Sequence, residues 1–179
     1  MTGSALLDAL GADSPATDRA GKMDLYGRFV GSWSLDVTQF SDDGTPRRRS
    51  GEWHFGWALE GRAVQDVWIV PPRGELRCGD AATHVNSYGT TLRVYDPDID
   101  AWRIQWTEPV TRNFLQMIGR EQDGEIVQIG TRADGRLARW RFTQIKQDSF
   151  RWLGEVSADQ GANWRLVTDF TAVRMKPAP

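Results

Sequence analysis

From residue 32 to residue 174, large apolar side chains recur at every second position, the period of a half-buried strand. Trp53, Phe55 and Trp57 alternate with Glu52, His54 and Gly56. Trp102, Ile104 and Trp106 alternate with Arg103 and Gln105, and Trp140 and Phe142 with Arg139 and Arg141. The same alternation sets Leu92 and Val94 against Arg93 and Tyr95, and Trp164, Leu166 and Phe170 against Arg165 and Asp169. It predicts strands near 32–40, 51–58, 62–70, 89–95, 102–108, 112–119, 125–132, 136–145, 150–157 and 163–174.

Turn signals separate these runs: Asp42-Asp43-Gly44, Glu60-Gly61, Asp96-Pro97-Asp98, Asp123-Gly124, Asp134-Gly135 and Asp159-Gln160-Gly161. Connections this short pair neighbouring strands antiparallel, because a parallel pair needs a crossover of helix length. A meander of this kind leaves two open edges, and closing the sheet on itself removes both. The predicted fold is therefore all-β: a roughly ten-stranded antiparallel up-and-down barrel, apolar inside and polar outside. Before it, the spacing of Met23, Tyr26, Phe29 and Val30 predicts a short N-terminal helix. Residues 1–21, rich in Gly, Ala, Ser, Asp and Thr, read as a mobile arm, and residues 22–176 as one barrel domain.

Composition adds one feature to that picture. The 179 residues include nine tryptophans. Each buried ring of this size removes about 150–250 Å² from water, so the rings either fill the barrel or line a cavity within it. The net charge is −2 with both signs interspersed, which supplies no field for nucleic acid or an anionic membrane. The single cysteine, Cys78, excludes an internal disulfide, and no run approaches the length of a membrane-spanning helix. The expected setting is a reducing cytoplasm, with a homodimer as a possible assembly.

Phe29-Val30-Gly31-Ser32-Trp33 resembles the Gly-x-Trp motif of lipocalins and other calycins, in which a short helix precedes the first strand. The strands after it resemble a family of uncharacterised bacterial calycin-like proteins over about residues 25–174. The resemblance implies that Trp33 packs across the closed end of the barrel. It also implies that an arginine of the last strand, here Arg174 after Thr171-Ala172-Val173, covers the indole in a cation–π contact. It implies a ligand cavity but no particular substrate. One branch of the superfamily holds haem through a barrel histidine and carries further glycines after that tryptophan. Here Ser34-Leu35-Asp36 follow, and no cofactor is expected.

The only histidines are His54 and His84, with no His-x-His or Cys-x-x-Cys spacing, so no metal site is expected. No phosphate-binding glycine loop and no Gly-x-Ser-x-Gly elbow is present. The segment with most chemical interest is the hairpin carrying His54, Gln65 and Asp66. A three-residue connection around Glu60-Gly61 puts His54 opposite Asp66. A two-residue connection puts Asp66 opposite Phe55, among the inward rings near Trp53 and Trp68. Placed there, Asp66 becomes a candidate general acid or base. Glu108 shares parity with Trp106, and His54 and Glu108 stand behind Asp66 as catalytic candidates. Gln116 and Gln128 are candidates for orienting a ligand's carbonyl or hydroxyl. Arg93, Arg103, Arg139 and Arg141 are expected outside, with Arg141 paired to Glu155. An inverted strand would instead bring an arginine in as a carboxylate anchor.

These readings converge on a protein that binds a small apolar or aromatic molecule. Trp53, Phe55, Trp57, Trp68, Trp102 and Trp106 are its expected walls, and Gln65, Gln116 and Gln128 its polar contacts. The alternative is an enzyme, a cyclase, isomerase or dehydratase, working in the same cavity. A third possibility is an interaction module whose rings leave no void. The loop from Pro71 to Ser87, with Arg73, Arg77, Cys78, Asp80 and His84, is expected at one mouth of the barrel.

Overall fold

The hairpin signals translate directly into chain path. In the computed structural model, which describes residues 4–75 and 86–176, every strand of the barrel pairs antiparallel with the next. The elements are α1 (Ala5–Leu10), β1 (Gly11–Ala12), a 3₁₀ turn (Thr17–Arg19) and α2 (Ala20–Gly27). The barrel strands are β2 (Gly31–Phe40), β3 (Pro46–Ala58), β4 (Ala63–Val70), β5 (Ser87–Asp96) and β6 (Ala101–Glu108). They continue as β7 (Asn113–Gln122), β8 (Glu125–Thr131), β9 (Leu137–Thr143), β10 (Ser149–Ser157) and β11 (Arg165–Arg174). β11 pairs back with β2, so these ten strands close into a barrel. Asp123 and Gly124 both adopt positive φ, 51° and 79°, the conformation a two-residue hairpin loop demands.

The helix lies at the end where β2 begins. Met23, Tyr26 and Phe29 are fully buried there, against Trp33, Phe142 and Phe150. Trp33 donates its indole N–H to the Phe29 carbonyl at 2.7 Å. Arg174 stacks over Trp33 at 4.2 Å from the ring centre and donates to the carbonyls of Val30 and Arg28 at 2.9 and 2.8 Å. One guanidinium thus ties the last strand to the segment that opens the first.

Residues 4–21, expected as a mobile arm, carry structure. α1 ends in the short pairing of Gly11 and Ala12 with Ala58 and Trp57. Ala16 then donates its N–H to the Gly61 carbonyl, and Arg62 forms an ion pair with Asp18 at 2.9 Å. Gly61, at φ 73°, passes so close that a Cβ there would lie 2.1 Å from the Ser14 carbonyl oxygen. The segment straps the β3–β4 turn, an anchoring that its polar composition does not reveal.

Three strands depart from the expected facing. In β5, Leu92 and Val94 are half-exposed on the outside, while Ser87, Gly89, Thr91 and Arg93 are buried inside. Register decides this, because Thr91 pairs with the inward Asp66 and with the inward Trp106. Gly89 is the steric reason: a Cβ there would sit 2.4 Å from the Trp106 ring. In β7, Leu115 and Met117 point inward, and Phe114 and Gln116 are exposed. In β11, a bulge falls between the pairs Gly154–Thr168 and Glu155–Leu166. The shift moves Leu166 to the outer parity, and Trp164 stacks on Arg139, 4.1 Å from the guanidinium carbon.

Candidate functional site

Register stacks the inward side chains in two layers along the barrel axis. The layer next to α2 is filled. Phe29, Phe55, Phe142 and Phe150 interlock there, with Trp102 packed edge-on against Tyr26 at 4.8 Å. Inside this layer lie Asp66 and Arg93, 1% exposed each, and Gln128, fully buried. Arg93 donates through Nη1 to Asp66 Oδ2, and its guanidinium carbon lies 5.1 Å from the centre of the Tyr26 ring. Burial pushes the Tyr26 hydroxyl far above the ordinary phenol range, against the opposing pull of the Arg93 charge.

The layer at the other end is not filled. A cavity of about 300 Å³ lies there, walled by Trp53, Trp68, Trp106, Trp140, Trp152 and Phe170. Five of these rings close a belt. Trp68 meets Trp106 at 6.2 Å, Trp106 meets Trp140 at 5.9 Å, and Trp140 meets Trp152 at 5.4 Å. Trp152 stacks on Phe170 at 4.9 Å and 13°, and Phe170 returns to Trp68 at 6.4 Å. Trp53 touches the belt through Phe170 at 5.4 Å. Leu115 and Val167 complete the apolar wall, and Thr91, Asn113, Thr168 and Arg132 add polar groups.

The structure sorts the expected site residues sharply. Trp53, Trp68, Trp106 and Glu108 line the cavity. Phe55, Trp102, Asp66 and Gln128 face inward but belong to the filled layer. Asp66 does pair with Phe55, the arrangement of the two-residue connection. Its environment is not a lone carboxyl in an apolar wall but an ion pair with Arg93, an arginine expected outside. Trp57 packs against α2, where a Cβ on Gly27 would lie 2.3 Å from its ring. Gln65 faces out and donates to Thr90 Oγ1 at 3.0 Å, and Gln116 is exposed.

Glu108 meets the cavity wall but is committed elsewhere. It accepts the N–H groups of Val110 and Thr111 at 2.8 and 2.9 Å, the Thr111 hydroxyl, and the Tyr88 N–H at 3.4 Å. Each oxygen has two donors from the β6–β7 turn and β5, so this carboxylate is a turn clamp.

His54 stands on the outer face. Its ring nitrogens meet Ser32 Oγ at 2.9 Å and Glu52 Oε2 at 3.1 Å. Arg73 binds Glu52 through its backbone N–H at 2.7 Å and its Nε at 2.8 Å, which pins residues 71–75 to the barrel wall. Burial works to raise the Glu52 pKa, but the Arg73 hydrogen bonds outweigh it and hold the carboxyl at about 2. Arg141 pairs with Glu155 at 3.0 Å on the outside, alongside Arg139 at 2.8 Å. Arg77, Cys78, Asp80 and His84 lie outside the described residues. Among those described, no cluster of His, Cys, Asp or Glu is arranged to hold a metal ion.

Trp140, Trp152, Leu115 and Phe170 are walls that were not singled out. Parity with Phe142, Phe150 and Met117 is the signal that marks the first three. Phe170 carried the inward signal, and its pairing with Trp152 across β10 and β11 sets it beside the void.

No family model matches the chain, and no curated protein matches its sequence. Among solved structures, the S-type phycobiliprotein lyase CpeS from Guillardia theta superposes with a TM-score of 0.55 at 12% identity, over 92% of this chain and all of that one. The fold is calycin-like. A redesigned β-barrel bound to the small molecule DFHBI matches more loosely, with a TM-score of 0.41 at 13% identity over 82% of this chain and 99% of that one. No described helix is long and apolar enough to cross a membrane.

Proposed function

We propose that this calycin-like barrel binds a small, flat aromatic or conjugated molecule in the cavity enclosed by the tryptophan belt. The observation that carries this reading is the contrast between the two layers. One half of the barrel is packed with rings and the other half, built from the same residue types, holds about 300 Å³ of space. Cores are normally close-packed, and a void ringed by five aromatic side chains forgoes dispersion energy that a flat guest would restore. The void falls within the lower range of small-molecule sites and has their composition, apolar walls with a few polar groups.

The fold agrees with this reading without naming a ligand. The lyase that shares it is, by its name, an enzyme of phycobiliproteins, and similarity at 12% identity carries the architecture alone. The enzymatic alternative rested on Asp66 as acid or base, with His54 and Glu108 behind it. His54 stands on the outer face, and Glu108, though on the cavity wall, is held by four donors. Asp66 is bound to Arg93 and does not line the void, so nothing in the geometry favours that alternative.

Titration with a panel of planar aromatic compounds tests the proposal. Saturable quenching of tryptophan emission is expected for at least one of them. Val167→Trp, which fills the cavity from its wall, should abolish that quenching while leaving the β-sheet circular dichroism intact. Emission unresponsive to the whole panel rejects the reading.

A further inference from the structure

Four of the cavity's indoles share a chemical defect. The Nε1 atoms of Trp53, Trp68, Trp106 and Trp152 are buried, and none has a hydrogen-bond partner among the described residues. Trp53, Trp106 and Trp152 are 4%, 7% and 8% exposed, so these donors belong to side chains that water scarcely reaches. The contrast with Trp33 is direct, since that equally buried indole donates to a carbonyl at 2.7 Å. An indole N–H only donates, so an acceptor is the one group that satisfies it. The filled layer holds other unmatched buried donors, at Tyr26, Arg93 and Gln128, but the void gathers four of one kind on its wall, all indole N–H groups, and these point to what it takes in.

The other polar groups on the wall, Gln39, Ser87, Thr91, Asn113 and Thr168 among them, form no hydrogen bond with these four. The Glu108 carboxylate is occupied by the backbone N–H groups of Tyr88, Val110 and Thr111 and by the Thr111 hydroxyl. Arg132, on the same wall, brings further donors.

Resting on the reading of the cavity as an aromatic site, we infer that its ligand is an acceptor-bearing ring system. Its ring edge carries carbonyl or carboxylate oxygens that take hydrogen bonds from the indole N–H groups. The four nitrogens are themselves shielded, so contact comes with a small rotation of the indoles as the guest wedges between them. An apolar hydrocarbon of the same shape leaves the donors unmatched and is the poorer ligand. An ammonium of the same shape, which only donates, gains nothing from them.

The test uses the full chain and two isosteric probes, acetylnaphthalene and isopropenylnaphthalene, which differ in C=O against C=CH₂. Without donors to meet it, the ketone binds more weakly, because it gives up hydration on entering an apolar site. With donors it binds at least as tightly as the alkene, the expected result by calorimetric titration. Trp53→Phe, Trp68→Phe, Trp106→Phe and Trp152→Phe each keep a ring and delete one N–H. At least one should weaken the ketone about fivefold and shift the alkene less than twofold, the effect of a single hydrogen bond. An alkene that binds about tenfold more tightly than the ketone overturns the inference and leaves the aromatic site standing. A ketone preference that survives all four substitutions also overturns it. Saturable binding of neither probe, nor of any compound in the wider aromatic panel, removes the aromatic site itself.

Discussion

Arg93 and Asp66 form an ion pair inside the barrel wall, with side chains 1% and 0% exposed. They reach each other from adjacent strands β4 and β5, beneath the rings of Tyr26, Phe55 and Phe142. Charges taken this far from water are costly unless each has its partner. Arg93→Met, which strands the carboxylate, should lower stability by about 3–5 kcal/mol in urea unfolding. The double variant Asp66→Leu/Arg93→Met should recover most of that loss. Costs that simply add would show that the two charges do not depend on each other.

Gln128 presents the opposite case. It is fully buried in the packed layer close to the Tyr26 hydroxyl, yet neither its Nε2 nor its Oε1 makes a well-formed hydrogen bond among the described residues. An unmatched buried amide destabilises, and methionine has nearly the same length and volume. Gln128→Met should therefore raise stability by about 1 kcal/mol, read as a higher urea midpoint at constant slope. A midpoint that falls would reveal a hydrogen-bond role for the amide.

Glu52 sets an acid limit. Its carboxyl is held at about 2 in the fold against an ordinary value of 4.5, so below 4.5 the unfolded chain takes up the proton first. The contribution of Glu52 is complete above pH 4.5 and is lost as the pH falls through about 2. Arg73 is 61% exposed, and solvent screening limits the effect to about 1 kcal/mol. Melting temperatures followed from pH 6 to about pH 2.5 should fall more steeply for the native chain than for Glu52→Gln. Parallel curves would count against the Arg73 clamp.

Arg174 closes the helix end of the barrel. Removing it exposes the Trp33 face and leaves the carbonyls of Val30 and Arg28 without their donor. Arg174→Ala should cost about 2 kcal/mol, from one partly exposed cation–π contact and the lost charged hydrogen bonds. Arg174→Lys should recover only part, because an ammonium cannot stack and fork at once. Equal stability of the Lys variant and the native chain would put the effect down to charge alone.

Local patterning by itself determined the architecture of this protein. Period-two alternation and Asp-Gly turns specify the antiparallel hairpins, and an unpaired edge is costly enough to specify closure. The Gly-x-Trp segment and Arg174 were legible as a lock only through the resemblance to calycins, and barrel closure brings the two together. Tertiary structure decided which side chains meet. Leu92 and Val94 look inward in isolation, yet Gly89 must yield to the Trp106 ring and Arg93 must find Asp66, and these contacts across strands turn β5 over. In β11 a single bulge sends Trp164 out and leaves Val167 on the cavity wall. Periodicity states that a ring faces in, but not whether it meets other rings or empty space. That depends on height along the barrel axis, which strand register and the helix plug set together.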